Sequence, residues 1–380
     1  MNSSRITIAI VSVGRSHLLN LARELNKKSD LDVCFYTIVP RSRCRKFGYT
    51  GKVCSCFLPI GVLSILSNYI PFRSPYARDS WNNKLRTLFD KYVAWKLKRC
   101  DILIGLNGNA VASSIKAREK YNAITICDQG SSHILQQNSV RHTYSDVEPD
   151  AFNTDYMIKH YSAADYLMAP SIYVRKSDID NGIPEGRILY NPYGVNLNIF
   201  KAANNPGCDS FDVIMVGSWW KHKGCDLLAN ACINILGVSL LHVGYVIDCE
   251  LPDSPLFKHV DFIPEHELPN YYAQAKVFAI PSRDEGLALV QLQAAACGLP
   301  VVGSTRSGVL DLSGLLNDTT HYIAAEEPLT AETIAAAIKT VLARRKETPI
   351  VVKPGMFDSL SWEAYGVRYY NQIKTILRNT

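Results

Sequence analysis

The chain has 380 residues, 47% hydrophobic and 20% charged, a balance that excludes a disordered or low-complexity protein and allows two domains with sizeable cores. Its net charge of +6 is uneven: residues 1–200 carry 26 Lys and Arg against 16 Asp and Glu, and the remainder carries 15 against 19. A basic first half suits an anionic partner such as a phosphorylated acceptor or an acidic bilayer surface, whereas no recognisable nucleic-acid module accompanies it, so nucleic acid is not an expected partner.

The first apolar run, Ile6–Val13, is short, alternates with Thr and Ser and leads into Gly14, as a first β-strand does and a secretory leader does not. Val33–Val39, Ile102–Leu106 and Ile124–Cys127 read as further buried strands, with helices over Leu18–Asn26, Trp81–Lys98 and Ala110–Glu119 between them. No apolar stretch reaches the ~18 residues a membrane span needs; the nearest, Cys56–Phe72, is broken by Pro59, Asn68 and Pro71. The pattern pauses at Arg187–Phe200 and at the polar stretch Lys201–Ser210. It restarts with strands at Asp212–Gly217, Leu240–Gly244, Val260–Phe262, Val277–Ile280 and Pro300–Val302. Such alternation predicts an α/β protein with two doubly wound parallel sheets, joined near residues 195–210 and with their chemistry at the carboxyl ends of the strands. The eleven cysteines show no C-x-x-C spacing and read as buried, reduced thiols of a cytoplasmic protein.

The most informative stretch runs from Ala279 to Val302. It reads as a strand, a loop turning at Glu285-Gly286, a helix over about 287–297, a stop at Gly298 and a new strand. A helix N-terminus offers free N–H groups and the positive end of a dipole, which suits a diphosphate, and Gly286 would let an anion approach the backbone without a Cβ in the way. Residues 285 and 293 are separated by roughly 12 Å of helix axis, enough to serve a sugar at one end and a ribose at the other.

Pro281, Ser282, Glu285, Gly286, Ala294, Ala296, Gly298, Pro300, Val301 and Val302 match the E-x7-E region of the GT-B-fold, retaining enzymes of glycosyltransferase family 4, which this chain resembles. The resemblance implies two Rossmann-like domains facing across a cleft: an acceptor-binding domain over 1–195, a donor-binding domain over 205–360 and a final helix over 361–380 crossing back to the first domain. It implies that Glu285 holds the donor sugar, that Gly286, Leu287, Ala288 and Leu289 line the diphosphate, and that the second acidic position, occupied here by Gln293, reaches the ribose. An amide there lacks the charge-assisted strength of a carboxylate. Val216–Leu228 is similar to the family's V-G-R-x-x-x-x-K-G stretch: Gly217 and Lys223 match, and the arginine position is Ser218. Two cations facing the leaving pyrophosphate would let the family work without a metal; here Lys221, or Gly14-Arg15 from the facing domain, is a candidate to join Lys223. Further matches at Ala164–Ser171 and Asn191–Phe200 extend the likeness over about residues 160–310.

On the acceptor side, Asp128, Ser131 and His133 follow a strand's carboxyl end, and His133 is the candidate active-site histidine, with His17 second. The implied reaction moves a sugar from a nucleotide-diphosphate sugar to a glycan or lipid-linked acceptor, in cell-surface polysaccharide or lipopolysaccharide synthesis, with no metal or other cofactor; Glu285, His133 and Lys223 are its expected catalytic residues. Arg41, Arg43, Arg45 and Lys46, followed by Cys56–Phe72, form either a basic, greasy rim for an anionic membrane or a solvated loop plus a buried helix. Asp178-Ile-Asp180 superficially matches a D-x-D metal motif, but it reads as a solvated face with no strand before it. The alternatives are a catalytically weak or inactive relative that binds nucleotide or glycan, motivated by Ser218 and Gln293, and a nucleotide-sugar epimerase of the same fold.

Overall fold

The computed structural model describes residues 5–70, 75–144, 149–202, 210–348 and 350–379; most of the polar linker expected at Lys201–Ser210 and the end of the Cys56–Phe72 run lie outside them. Seven strands build the first sheet: β1 (Ile6–Val11), β2 (Leu31–Thr37), β3 (Lys52–Ser55), β4 (Ile102–Leu106), β5 (Ile124–Asp128), β6 (Tyr166–Ala169) and β7 (Ile188–Tyr190). They lie parallel in the order β3-β2-β1-β4-β5-β6-β7, with Ile8 between Val33 and Ile102. The helices of this half are α1 (His17–Leu25), α2 (Arg41–Lys46), α3 (Val62–Leu66), α4 (Pro75–Lys96), α5 (Val111–Tyr121), α6 (Ile134–Tyr144), α7 (Ala151–Ala163) and α8 (Ile172–Asp180). Ser16 and Ser171 start α1 and α8 by accepting main-chain N–H groups on their hydroxyls, the usual role of a serine at that position.

The second sheet is also parallel, in the order β10-β9-β8-β11-β12-β13. Its strands are β8 (Phe211–Val216), β9 (Leu240–Val243), β10 (Phe257–Val260), β11 (Ala275–Ile280), β12 (Val301–Ser304) and β13 (Tyr322–Ala325), with helices α9 (Cys225–Ala229), α10 (Leu268–Tyr272), α11 (Leu289–Ala296), α12 (Val309–Leu316) and α13 (Ala331–Glu347). The strand expected at Val260–Phe262 ends at Val260, where its pairing with Val243 stops. Strand order reverses between β1 and β4 in one sheet and between β8 and β11 in the other, the crevices where ligands of open parallel sheets bind.

The last helix, α14 (Trp362–Asn379), leaves the second half and lies on α1. Tyr370 and Lys374 reach Asp30 at 2.8 and 3.1 Å, and Arg368 donates to Asn191 and to the Pro192 carbonyl. Its apolar stripe of Trp362, Tyr365, Tyr369 and Ile373 joins residues of both sheets in one continuous buried cluster. Among the described residues the ten cysteines are all free thiols, and no helix is long and apolar enough to cross a membrane.

Candidate functional site

The loops after β8 and β11, either side of the second switch point, meet because Gly224 has no side chain. It sits at φ 71° as the entry to α9, and a Cβ there would lie 2.2 Å from the Pro281 carbonyl oxygen. The close approach brings the Lys223 ammonium into an ion pair with the Glu285 carboxylate. Burial pulls Lys223 down to about 8 while Cys225 and Asp284 nearby hold it up, so the ammonium stays charged at neutral pH. Glu285 is anchored through its N–H to the Arg306 carbonyl at 3.0 Å. Behind it, Arg283 makes a two-armed pair with Asp226 at 2.7 and 2.8 Å and accepts the Tyr144 ring of α6 over its guanidinium.

Three residues beyond Glu285, Ala288 opens α11, and no side chain caps it. An uncapped helix start leaves N–H groups for an anion or water. Leu287 is buried against Gly308, Ala288 is buried, and Leu289 is exposed at the first helical position. Gln293, one turn further along, is buried and accepts the Tyr272 hydroxyl at 3.1 Å; reaching a ribose requires it to share or release that bond.

Gly286 meets the facing domain. A Cβ on it would stand 2.2 Å from the Gly130 carbonyl oxygen and 3.1 Å from Ser131 Cα, both in the facing domain. Its smallness therefore serves the contact between domains. Next to it Asp284, only 2% exposed, accepts the Ser132 hydroxyl at 2.6 Å and the Tyr173 hydroxyl at 2.8 Å, both from the first domain. Sequence reasoning missed Asp284 and Tyr173 because each stands next to a more conspicuous signal, Glu285 and the Ser171 cap.

The remaining expected residues divide. Gly217 takes φ 132° after β8, and Ser218, half-buried, offers its carbonyl to the Cys225 thiol. Lys221 is exposed and lines a separate cavity with Asp248 and Glu250, away from Lys223. Gly14 has open space around it, and Arg15 crosses the cleft to Glu265 at 3.1 Å. His133 turns away from the mouth: it is 3% exposed, lies against the Tyr161 ring and accepts the Leu135 N–H of its own helix, and burial drops its ring to about 4. The chain bends at residues 130–132 after β5, so that Ser132 reaches Asp284 of the second domain while His133 packs on Tyr161 of the first. His17 meets Asp128 instead, Nε2 to Oδ1 at 2.5 Å, with Tyr369 of α14 donating to the other carboxylate oxygen at 3.0 Å.

Asp178 is corrected as well. A strand, β6, precedes it, and it is fully buried, accepting Gln129 at 2.9 Å; burial raises it to about 7. Among the described residues no group of three or more His, Cys, Asp and Glu has the arrangement to hold a metal ion.

Residues 210–344 match the family model for glycosyl transferases group 1. The chain is 31% identical over 189 residues to a D-inositol 3-phosphate glycosyltransferase of Streptosporangium roseum, a match covering 40% of this chain and 43% of that protein. It is 33% identical to a GDP-mannose-dependent alpha-(1-6)-phosphatidylinositol monomannoside mannosyltransferase of Mycolicibacterium smegmatis, covering 30% and 33%. The chain thus spans less than half the length of these curated relatives. Its whole fold is similar to sucrose-phosphate synthase of Thermosynechococcus elongatus, with TM-score 0.69, 18% identity and 99% and 100% of the two chains covered. It is also similar to Anabaena HepE solved with UDP-glucose, with TM-score 0.61, 14% identity and 99% and 100% covered. The architecture is that of the GT-B glycosyltransferases.

Proposed function

We propose that this chain, whose second domain carries the group 1 glycosyl transferase signature on a GT-B fold, moves a sugar from a nucleotide-diphosphate sugar to a glycan or lipid-linked acceptor. The observation that carries the reading is the Lys223–Glu285 ion pair at the uncapped start of α11. The ammonium and the helix N–H groups suit a diphosphate bridge, and a carboxylate freed from Lys223 by that bridge suits sugar hydroxyls. The reaction we assign retains anomeric configuration and needs no metal: Lys223 and the α11 dipole would balance the charge growing on the leaving diphosphate, and the leaving oxygen would take the acceptor's proton. Positioning of the two substrates would supply much of the rate.

On the acceptor side, Leu58 and Tyr69 are 80% exposed, and Leu63, Ile65 and Leu66 are exposed beside them; α2 presents Arg41, Arg43, Arg45 and Lys46 to solvent. A lipid-linked acceptor met at an anionic membrane, in cell-surface glycan synthesis, fits these surfaces, and flotation with acidic vesicles tests it.

The central test is binding and transfer across UDP, GDP, ADP and CMP sugars, with the product anomer read by NMR and EDTA present or absent. Lys223→Ala should weaken donor binding by roughly 10–100-fold, the worth of a charge-assisted hydrogen bond, and Glu285→Gln should lower turnover by roughly 10²–10³-fold while donor still binds. Because Lys223 sits near 8, its ammonium is lost as pH rises through that value; donor affinity should fall there, and Lys223→Arg should abolish the fall. Donor affinity that is indifferent to Lys223 overturns the assignment. Tight binding with no turnover points instead to a binding relative, the reading that Ser218 and Gln293 favour.

A further inference from the structure

We infer that the face of β1–β3 turned away from α1 holds a second site, for a phosphate-bearing group, separate from the donor mouth. A cavity of about 490 Å³ lies there, walled by residues along the three strands, by Arg41 of α2 and by the segment 96–100 that leads from α4 into β4. Five cations from three separate segments line it: Arg41, Lys52, Lys96, Lys98 and Arg99. Of these five, only Lys52 pairs with a carboxylate among the described residues, Asp32 at 2.5 Å. Lys96 lies over the Trp95 ring at 3.9 Å, and the Lys98 main chain is fixed to β2 by donating to the Tyr36 hydroxyl at 3.4 Å.

Like charges gathered around one cavity repel each other, and a multiply charged anion placed among them removes that cost while gaining several charge-assisted hydrogen bonds. The volume suits a small ligand rather than a lone ion. The lining separates the site from the donor mouth: it holds Thr7, Asp32 and Lys52 near the amino-terminal ends of their strands and none of Gly14, Asp128 and Ser131 at the cleft. A ligand here touches none of the donor-mouth residues Lys223, Glu285 and Gln293 and shares only Arg41 with the basic surface of α2, so the proposal does not depend on the reaction assigned above. The chemistry is a phosphate monoester or diphosphate, and its source is either a soluble metabolite or the headgroup of an acidic lipid.

The test uses the full chain carrying Lys223→Ala, so that the donor mouth contributes little. Calorimetry with sodium pyrophosphate reads the soluble source; flotation with phosphatidylcholine vesicles, with and without phosphatidic acid, reads the lipid source. Lys98→Glu and Arg99→Glu are each compared with Lys339→Glu, the same charge change on exposed α13, and Lys98→Gln and Arg99→Gln repeat the comparison without charge reversal. A loss of roughly tenfold or more in either ligand's affinity, found with the cavity variants and absent with Lys339→Glu, supports the site and identifies the source. Absence of both interactions, or equal loss with Lys339→Glu, overturns it.

Discussion

Gly286 and Gly224 do their work by what they lack. Adding one carbon at 286 pushes backbone against backbone across the cleft, 2.2 Å from the Gly130 carbonyl, and neither partner is a flexible side chain that can step aside. Gly286→Ala should therefore hold the domains apart by about an ångström and cost roughly 10²-fold in kcat/KM, the penalty of misplacing reacting groups by that much; X-ray scattering would register a more open particle and steady-state kinetics the loss. Unchanged scattering and kinetics would mean that the contact is dispensable. The residue pattern around Glu285 was legible in the sequence, yet the reason for its glycine was not: the atom it avoids belongs to a loop more than 150 residues earlier. The placement of the histidines was hidden for a similar reason. His133 and His17 both follow strands at their carboxyl ends, and only the packing of Tyr161 on one and Asp128 beside the other separates them.

Among the elements, α8 carries the clearest titratable strain. Asp178 is buried with one carboxylate oxygen bonded to Gln129 and the other without a partner in the described structure. Its value rises to about 7 through burial, whereas an unfolded aspartate ionises near 3.8. The folded state thus holds the proton that the unfolded state releases. Stability contributed by this residue is greatest below the unfolded value, declines as pH climbs from about 4 to about 7 and stays low above. Asp178→Asn keeps the acceptor for Gln129 and removes the titration. Its melting point should match the parent near pH 4 and exceed it at pH 8; a constant difference at both would sink the account. The strands with buried apolar runs, β1, β4 and β11, were readable from the pattern of the sequence. The short strands β6 and β7 were not, since four and three residues show no period, and missing β6 is what made Asp178 look like solvated surface.

At the scale of the whole molecule, Asp284 ties the two domains together. It accepts Ser132 and Tyr173 from across the cleft beside the Gly286 contact, while Asp311, pushed up to about 6 by burial, accepts the Ile172 N–H and the Tyr190 hydroxyl a short way off. Under the proposed function, parting of the Asp284 bonds is the step that would open the mouth to a nucleotide sugar. Ser132→Ala combined with Tyr173→Phe removes both donors and should shift the population toward the open form, speeding donor association and lowering turnover, because closure completes the site. Stopped-flow binding alongside kcat measures both, and a double variant with parental values for each would rule out the latch. That the chain folds as two parallel sheets could be read from its alternation of strands and helices; how the sheets face each other could not, because each interdomain bond joins residues more than 110 positions apart.

The course of α14 has an outcome for biogenesis. Its tyrosines complete the covering of α1, yet they are translated some 340 residues later, a delay of roughly 20–70 s at common ribosome speeds. Throughout that interval the nascent amino-terminal half exposes a greasy strip whose native lid has not been made, which marks it as a client for holdase chaperones until translation reaches the last helix.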